Sequence, residues 1–274
     1  MIIDGHAHAA GEFADVEHLN ELLDKRGIDK ICLCPGLKNN TSIPPLPNIP
    51  IAAIKRHPLY SRYFIHPGIR FSYNFIFKDK GDGNEFVHSF AEKYPDRIIQ
   101  IYWLDPRKSD FMGKLENDLK KWNFKGIKLH QACTPFKNDG PEMSQIVEFV
   151  KEKQLPIFIH LWSNREANKL IKLVKNYPET NFIFLHTIGL EIAVKYAGNL
   201  RNIHYETSTY SYLSDKRIKY AVEIFGADHV IFGSDTPFDK DAQKINIERF
   251  KKMALSDVEK EQILGKNIAK ILNL

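Results

Sequence analysis

The chain has 274 residues, 43% hydrophobic and 12% aromatic, enough to bury one large core; a barrel domain runs to about 250 residues. No stretch reaches the roughly 20 apolar residues of a membrane span, and Met1 leads straight into Ile2-Ile3-Asp4-Gly5-His6 without a signal-peptide pattern, so a soluble, cytoplasmic protein with no membrane partner is expected. The net charge of +5 is local: Lys38, Lys55, Arg56, Arg62, Arg70 and Lys78 fall in residues 36–78 with no Asp or Glu, and the other 33 basic residues face 34 acidic ones, too even a balance for a nucleic-acid partner.

In chain order, eight strands are expected at 1–8, 30–35, 97–104, 125–130, 156–161, 181–187, 202–207 and 229–235. Helices are expected to alternate with them at 16–25, 84–94, 108–122, 142–153, 164–176, 190–197, 215–225 and 241–252. Eight strand-helix pairs in a chain of this size fit a single (β/α)8 TIM barrel spanning 1–274. An open doubly wound sheet would place a Gly-rich phosphate turn after the first strand, and here that strand ends in histidines. The last segment opens with the capping-box pattern Ser256 to Glu259 and reads as a helix to Leu272 that seals the barrel. Residues 36–80, after the second strand, stand out as a basic aromatic insert: either a solvated excursion or a lid selecting an anion through residues such as Arg56 and Arg70. Cys32, Cys34 and Cys133 have no metal-type spacing and read as reduced packing residues.

The chemistry collects at strand ends. His6 and His8 point the same way from the first strand. His160 closes the fifth strand, His186 the sixth and Asp235 the eighth, the face where barrel active sites are built. Several imidazoles and a carboxylate converging on one face are costly to bury unless something coordinates or neutralises them. One divalent metal does so, and this donor set suits Zn²⁺ best, with Mn²⁺, Fe²⁺ or Co²⁺ as substitutes. On the fourth strand Lys128 and His130 share a parity. Lys128 is expected to pair with a carboxylate inside the barrel or with an anionic substrate, and His130 is a substrate contact or a wall residue. Arg107 offers a fork for a substrate carboxylate.

Seven pieces, in order along nearly the whole chain, resemble the amidohydrolase superfamily, in particular the amidohydrolase-related (amidohydrolase 2) branch that includes aminocarboxymuconate semialdehyde decarboxylase. They are Asp4-Gly5-His6-Ala7-His8, Tyr94-Pro-Asp-Arg97 with Asp105-Pro-Arg107, Gly126-Ile-Lys-Leu-His130, Phe158-Ile-His160, Leu185-His186 with Gly189, Gly233-Ser-Asp-Thr-Pro237 and Ile263-Leu-Gly-Lys-Asn267. Residues 36–80 carry no family pattern. The resemblance implies a mononuclear centre of His6, His8, His160 and Asp235, with His186 beside a water and Asp235 or His186 moving the proton. Because some superfamily members bridge two metals through a lysine on the fourth strand, Lys128 keeps a binuclear site open. Hydrolysis of an amide, lactone or ester-like bond in a small anionic substrate leads; non-oxidative decarboxylation of an unsaturated or aromatic carboxylate on the same site is the rival. A TatD-type nuclease lacks its glutamate after strand four, where Lys128-Leu-His130-Gln131 stands, and a non-catalytic metal-binding barrel would not need all five ligand-type residues. A homodimer is also open, because the insert could bury against a second copy.

Overall fold

The computed structural model describes residues 1–36, 67, 83–238 and 241–274; Arg56, Arg70 and nearly all of the insert lie outside them. The elements run β1 (Ile3–Ala9), α1 (Val16–Arg26), β2 (Lys30–Pro35), α2 (Asn84–Lys93), β3 (Ile98–Gln100), β4 (Tyr102–Trp103), α3 (Phe111–Lys121), β5 (Ile127–His130), α4 (Pro141–Lys153), β6 (Ile157–His160) and α5 (Asn164–Val174). There follow β7 (Phe182–Phe184), α6 (Leu190–Tyr196), β8 (Ile203–Glu206), α7 (Asp215–Phe225), β9 (Val230–Ile231), α8 (Ala242–Lys252), α9 (Asp257–Glu261) and α10 (Asn267–Ile271).

Among the described residues all strand pairings are parallel, in the orders β1-β2-β3 and β4 to β9. β3 and β4 are one barrel strand interrupted at Ile101, whose N–H donates to Leu33 O at 3.0 Å while Tyr102 N donates to Gly126 O at 2.9 Å. The nine segments are therefore the eight expected strands. β1 meets the chain after β9 through Gly5 N to Phe232 O (2.9 Å), Ser234 N to His6 O (3.1 Å) and His8 N to Thr236 O (2.9 Å). This is a TIM barrel. Among the described residues no helix is long and apolar enough to cross a membrane.

Strand alternation sorts the side chains into two layers. Ile31, Leu33, Ile127, Leu129, Ile157, Ile159, Phe182 and Phe184 pack outward against the helices. Cys32, Cys34, Ile99, Ile101, Phe158, Ile183 and Ile231 fill the barrel with Ile3, and Ile268 and Ile271 of α10 pack against them. Several helices begin at side-chain caps, Asp15, Ser163, Ser214 and Ser256, each accepting a backbone N–H of the first turn. The expected C-terminal helix is present with its capping box, but it is broken by a π turn at Gln262–Lys266. The wide turn sends the Asn267 N–H to Gln262 O, which frees Ile263 O to accept Phe232 N at 2.9 Å. The helix is thereby stitched to the last strand.

On the inner face of β8, His204 stacks on His229 at 5.4 Å and meets Asn181 Oδ1 through Nε2 at 3.1 Å. Burial, then the neighbouring His229, push His204 down to about 3. The unfolded chain takes up this proton below about 6.5 and the folded barrel only near 3, so the neutral ring costs stability progressively as pH falls between those values. From pH 7 to pH 4 the loss through this group is about 3 kcal/mol. Urea midpoints at the two pH values should show it, and His204→Phe should remove it; an equal acid loss in the variant would assign the effect to other groups.

Candidate metal centre

Local backbone features aim the polar groups at the strand ends. On β1 the register slips between Asp4 and Ala7. This bulge changes the parity, so Ile3 lies in the barrel filling while Ala7 and Ala9 pack outward and His6 and His8 face in. On β5 and β6 simple alternation suffices: Lys128 and His130, like Phe158 and His160, alternate with the outward Ile127, Leu129, Ile157 and Ile159. His186 follows the inward Leu185, so alternation alone would turn it outward. Its φ of 56° takes the chain out of the strand and re-aims the ring; Asp235 likewise has φ 57°. Such left-handed non-glycine residues cluster where a site over-determines the backbone.

The rings are held by their outer nitrogens. His8 Nδ1 contacts Pro35 O at 2.7 Å, His186 Nδ1 contacts Ser208 O at 3.0 Å and His6 Nδ1 contacts Ser208 Oγ at 3.3 Å. The inner nitrogens turn toward one carboxylate: Asp235 Oδ1 is 3.4 Å from His8 Nε2 and 3.7 Å from His6 Nε2. One ligand atom from each of His6, His186 and Asp235 lies within 4.8 Å of the others. His160 lies beside this set, its ring centroid 4.8 Å from that of His186 and 4.0 Å from that of His130, on which it stacks. Trp103 also stacks on His130, at 5.5 Å, so that Trp103, His130 and His160 form a run of stacked rings beside the cluster.

Burial, then the charge of Lys128, hold His6 well below its ordinary value, and burial also holds His186 down. Burial works to raise the Asp235 carboxyl, but His186, His8 and Lys128 together outweigh it and keep it below the usual range. Neutral imidazoles facing an ionised carboxylate, each ring fixed from behind, are the donor set of a divalent cation site. Cys34 offers no thiolate, because burial pushes its thiol up to about 12.

The remaining expected residues divide. His130, besides the stacking, receives Cys133 N on its Nδ1 at 3.2 Å. Lys128 is fully buried, but the contact it makes is to a histidine and not to the carboxylate expected, with Nζ 2.7 Å from His6 Nε2. Arg107 forks the chain's own Asp105, two residues away, through Nε and Nη2 at 2.8 Å each.

Three residues the sequence reading missed stand behind the site. Asp4 accepts Ser234 Oγ at 2.6 Å, Gln243 Nε2 at 2.7 Å and Ser234 N at 3.0 Å, tying β1 to the Asp235 loop, and burial raises it to about 6. Glu206, at the end of β8, is fully buried and raised by burial to about 8. It accepts Ser208 Oγ at 2.7 Å and His186 N at 3.3 Å. Ser208, the third, touches both His6 and His186.

The amidohydrolase family model matches residues 59–274, most of the chain. The chain belongs to the amidohydrolase family, and it is an enzyme of that generally metal-dependent group. No curated protein matches its sequence. Among solved structures it is similar to 2,6-dihydroxybenzoate decarboxylase from Rhizobium (15% identity, TM-score 0.67, covering 99% of this chain and 98% of that one). It is similar also to a probable 2-pyrone-4,6-dicarboxylic acid hydrolase from Acinetobacter baumannii with citric acid bound (15%, 0.69, covering 100% and 99%). An uncharacterized TIM-barrel protein from Bordetella bronchiseptica matches with 15% identity and TM-score 0.71, over 99% and 98% of the two chains.

Proposed function

We propose that the chain is a metal-dependent hydrolase acting on an amide, lactone or ester-like bond of a small anionic substrate. The observation that carries this reading is the convergence of His6, His186 and Asp235 at the C-terminal mouth of the barrel, with His8 and His160 beside them. His6, His8, His160 and Asp235 would hold one divalent ion, Zn²⁺ by the chemistry of the donors, with Mn²⁺, Fe²⁺ or Co²⁺ as alternatives. When bound, such an ion lowers the pKa of water from about 15.7 toward about 7 and polarises a carbonyl. Asp235, ionised and facing His8, takes up the proton of the attacking water at Oδ1 and delivers it to the leaving group. His186, neutral and turned inward by its Nδ1 bond to Ser208 O, presents the Nε2 lone pair to the site and shares that proton transfer as an acceptor. Lys128 beside the cluster and the basic residues of the insert favour an anion.

Non-oxidative decarboxylation is the second reading. It is favoured by the aromatic rings of Trp103, His130 and His160 beside the metal ligands, whose edges suit an unsaturated acid, and by the likeness to 2,6-dihydroxybenzoate decarboxylase. The first experiment is elemental analysis of the purified protein beside His160→Ala. About one divalent ion per chain is expected, greatly reduced in the variant, and stripping it with a chelator should abolish turnover until it is restored. Two ions per chain would bring Lys128 into the ligand set, and none after reconstitution would end the metalloenzyme reading. Carbon dioxide release by the metal-loaded protein on aromatic or unsaturated carboxylates, with no hydrolysis of lactones or amides, would replace the hydrolase by the decarboxylase.

A further inference from the structure

We infer that Ser208 is a positioning residue that fixes two imidazoles of the metal centre at once, with Glu206 as the acceptor that holds its hydroxyl in that role. The inference rests on the metal-centre reading and concerns which ring nitrogens carry hydrogen.

The hydrogen positions follow from groups whose character is fixed. A carbonyl oxygen only accepts, so the Nδ1 of His186, 3.0 Å from Ser208 O, carries a hydrogen. The same holds for His8 Nδ1, 2.7 Å from Pro35 O. His6 is set through the serine: Ser208 Oγ gives its one hydrogen to Glu206 Oε2 at 2.7 Å, so toward His6 Nδ1, which also lies 3.5 Å from that Oε2, it can only accept, and the hydrogen is on Nδ1. That hydrogen faces Ser208 Oγ at 3.3 Å, and the hydrogen on His186 Nδ1, shared with the carbonyl, faces the same Oγ at 3.2 Å.

A serine hydroxyl has two lone pairs and one hydrogen. With the hydrogen given to Glu206 Oε2, both lone pairs receive imidazole N–H groups. Glu206 is in turn fixed by backbone donors, Ser208 N on Oε1 at 2.5 Å and His186 N on Oε2 at 3.3 Å. The chain of bonds therefore runs in one direction, from His6 and His186 to Ser208 to Glu206, and it leaves Nε2 of both rings without a hydrogen, that of His6 meeting Lys128 Nζ at 2.7 Å. His8 is held independently by Pro35 and serves as an internal control.

The test uses full-length protein, with Zn²⁺ as the probe, and two readouts that do not depend on turnover. Long-range ring ¹⁵N NMR on the zinc-loaded wild type should show His6, His8 and His186 all as Nδ1–H tautomers. Chelator competition should show zinc affinity falling about 10- to 100-fold in Ser208→Ala and in Glu206→Gln, the range expected for loss of an outer partner of a metal-binding histidine. The His8 ring signals should not change in either variant. An Nε2–H tautomer at His6 or His186 in the wild type would overturn the inference without need of a variant, even if both variants fail to fold. So would a folded Ser208→Ala protein whose zinc affinity stays within threefold of the wild type. In both cases the wild type still binds about one zinc per chain. A wild type that binds none would instead withdraw the metal-centre reading and this inference with it.

Discussion

Asp235→Asn is expected to give a barrel that folds normally, retains little metal and turns over about 10²- to 10⁴-fold more slowly, the range for loss of a positioned general acid or base. Asparagine is the informative replacement because of the backbone. Position 235 has φ 57°, in the left-handed region that Asn tolerates nearly as well as Asp, whereas Ala would add strain of its own. Asn also keeps the size of the side chain. What it removes is the negative charge that His8 and His6 face at 3.4 and 3.7 Å and that His186 and Lys128 hold ionised. The melting temperature should stay within a few degrees of the wild type while metal per chain drops. Full turnover with undiminished metal would remove Asp235 from both of its proposed roles.

Much of this site was legible because a TIM barrel converts strand ends into an active-site face. His6, His8, His160 and Asp235 could be placed there from local sequence, since each closes an apolar run. The limits of that rule are also physical. On β1 and after β7 the inward direction depends on a bulge and on a left-handed residue, neither of which alternation encodes. Glu206 closes a strand just as His160 does, but the run Ile203-His204-Tyr205-Glu206 is broken by an inward histidine, so the apolar signal that marked the other ends is absent. The partner of Lys128 could not be read from the sequence, because His6 lies 122 positions away and a buried lysine is expected beside a carboxylate. The Arg107–Asp105 fork is the opposite case. Its two residues are two positions apart, so the pairing could have been read from the local sequence.

Gly233→Ala should cost about 3 kcal/mol or more of stability and weaken metal binding together with it. The reason is space. The position has no left-handed φ, so alanine can adopt its backbone, but the added Cβ would fall 2.1 Å from Glu206 Oε1 and 2.8 Å from its Cδ. The carboxylate has no easy retreat, because it is fully buried and bonded to Ser208 N, Ser208 Oγ and His186 N. Pushing it aside combines overpacking, about 1–3 kcal/mol, with buried donors left unsatisfied at about 1–3 kcal/mol each. The urea midpoint should fall at an unchanged m-value. A double-mutant cycle isolates the cause: with Glu206→Ala already present the clash is gone, and adding Gly233→Ala should cost far less than it does in the wild type. An equal cost in both backgrounds would mean that the notch at Gly233 does not serve Glu206. A large coupling would show that this glycine and the carboxylate are one structural unit supporting the loop between Glu206 and Ser208, and through it the rings of His6 and His186.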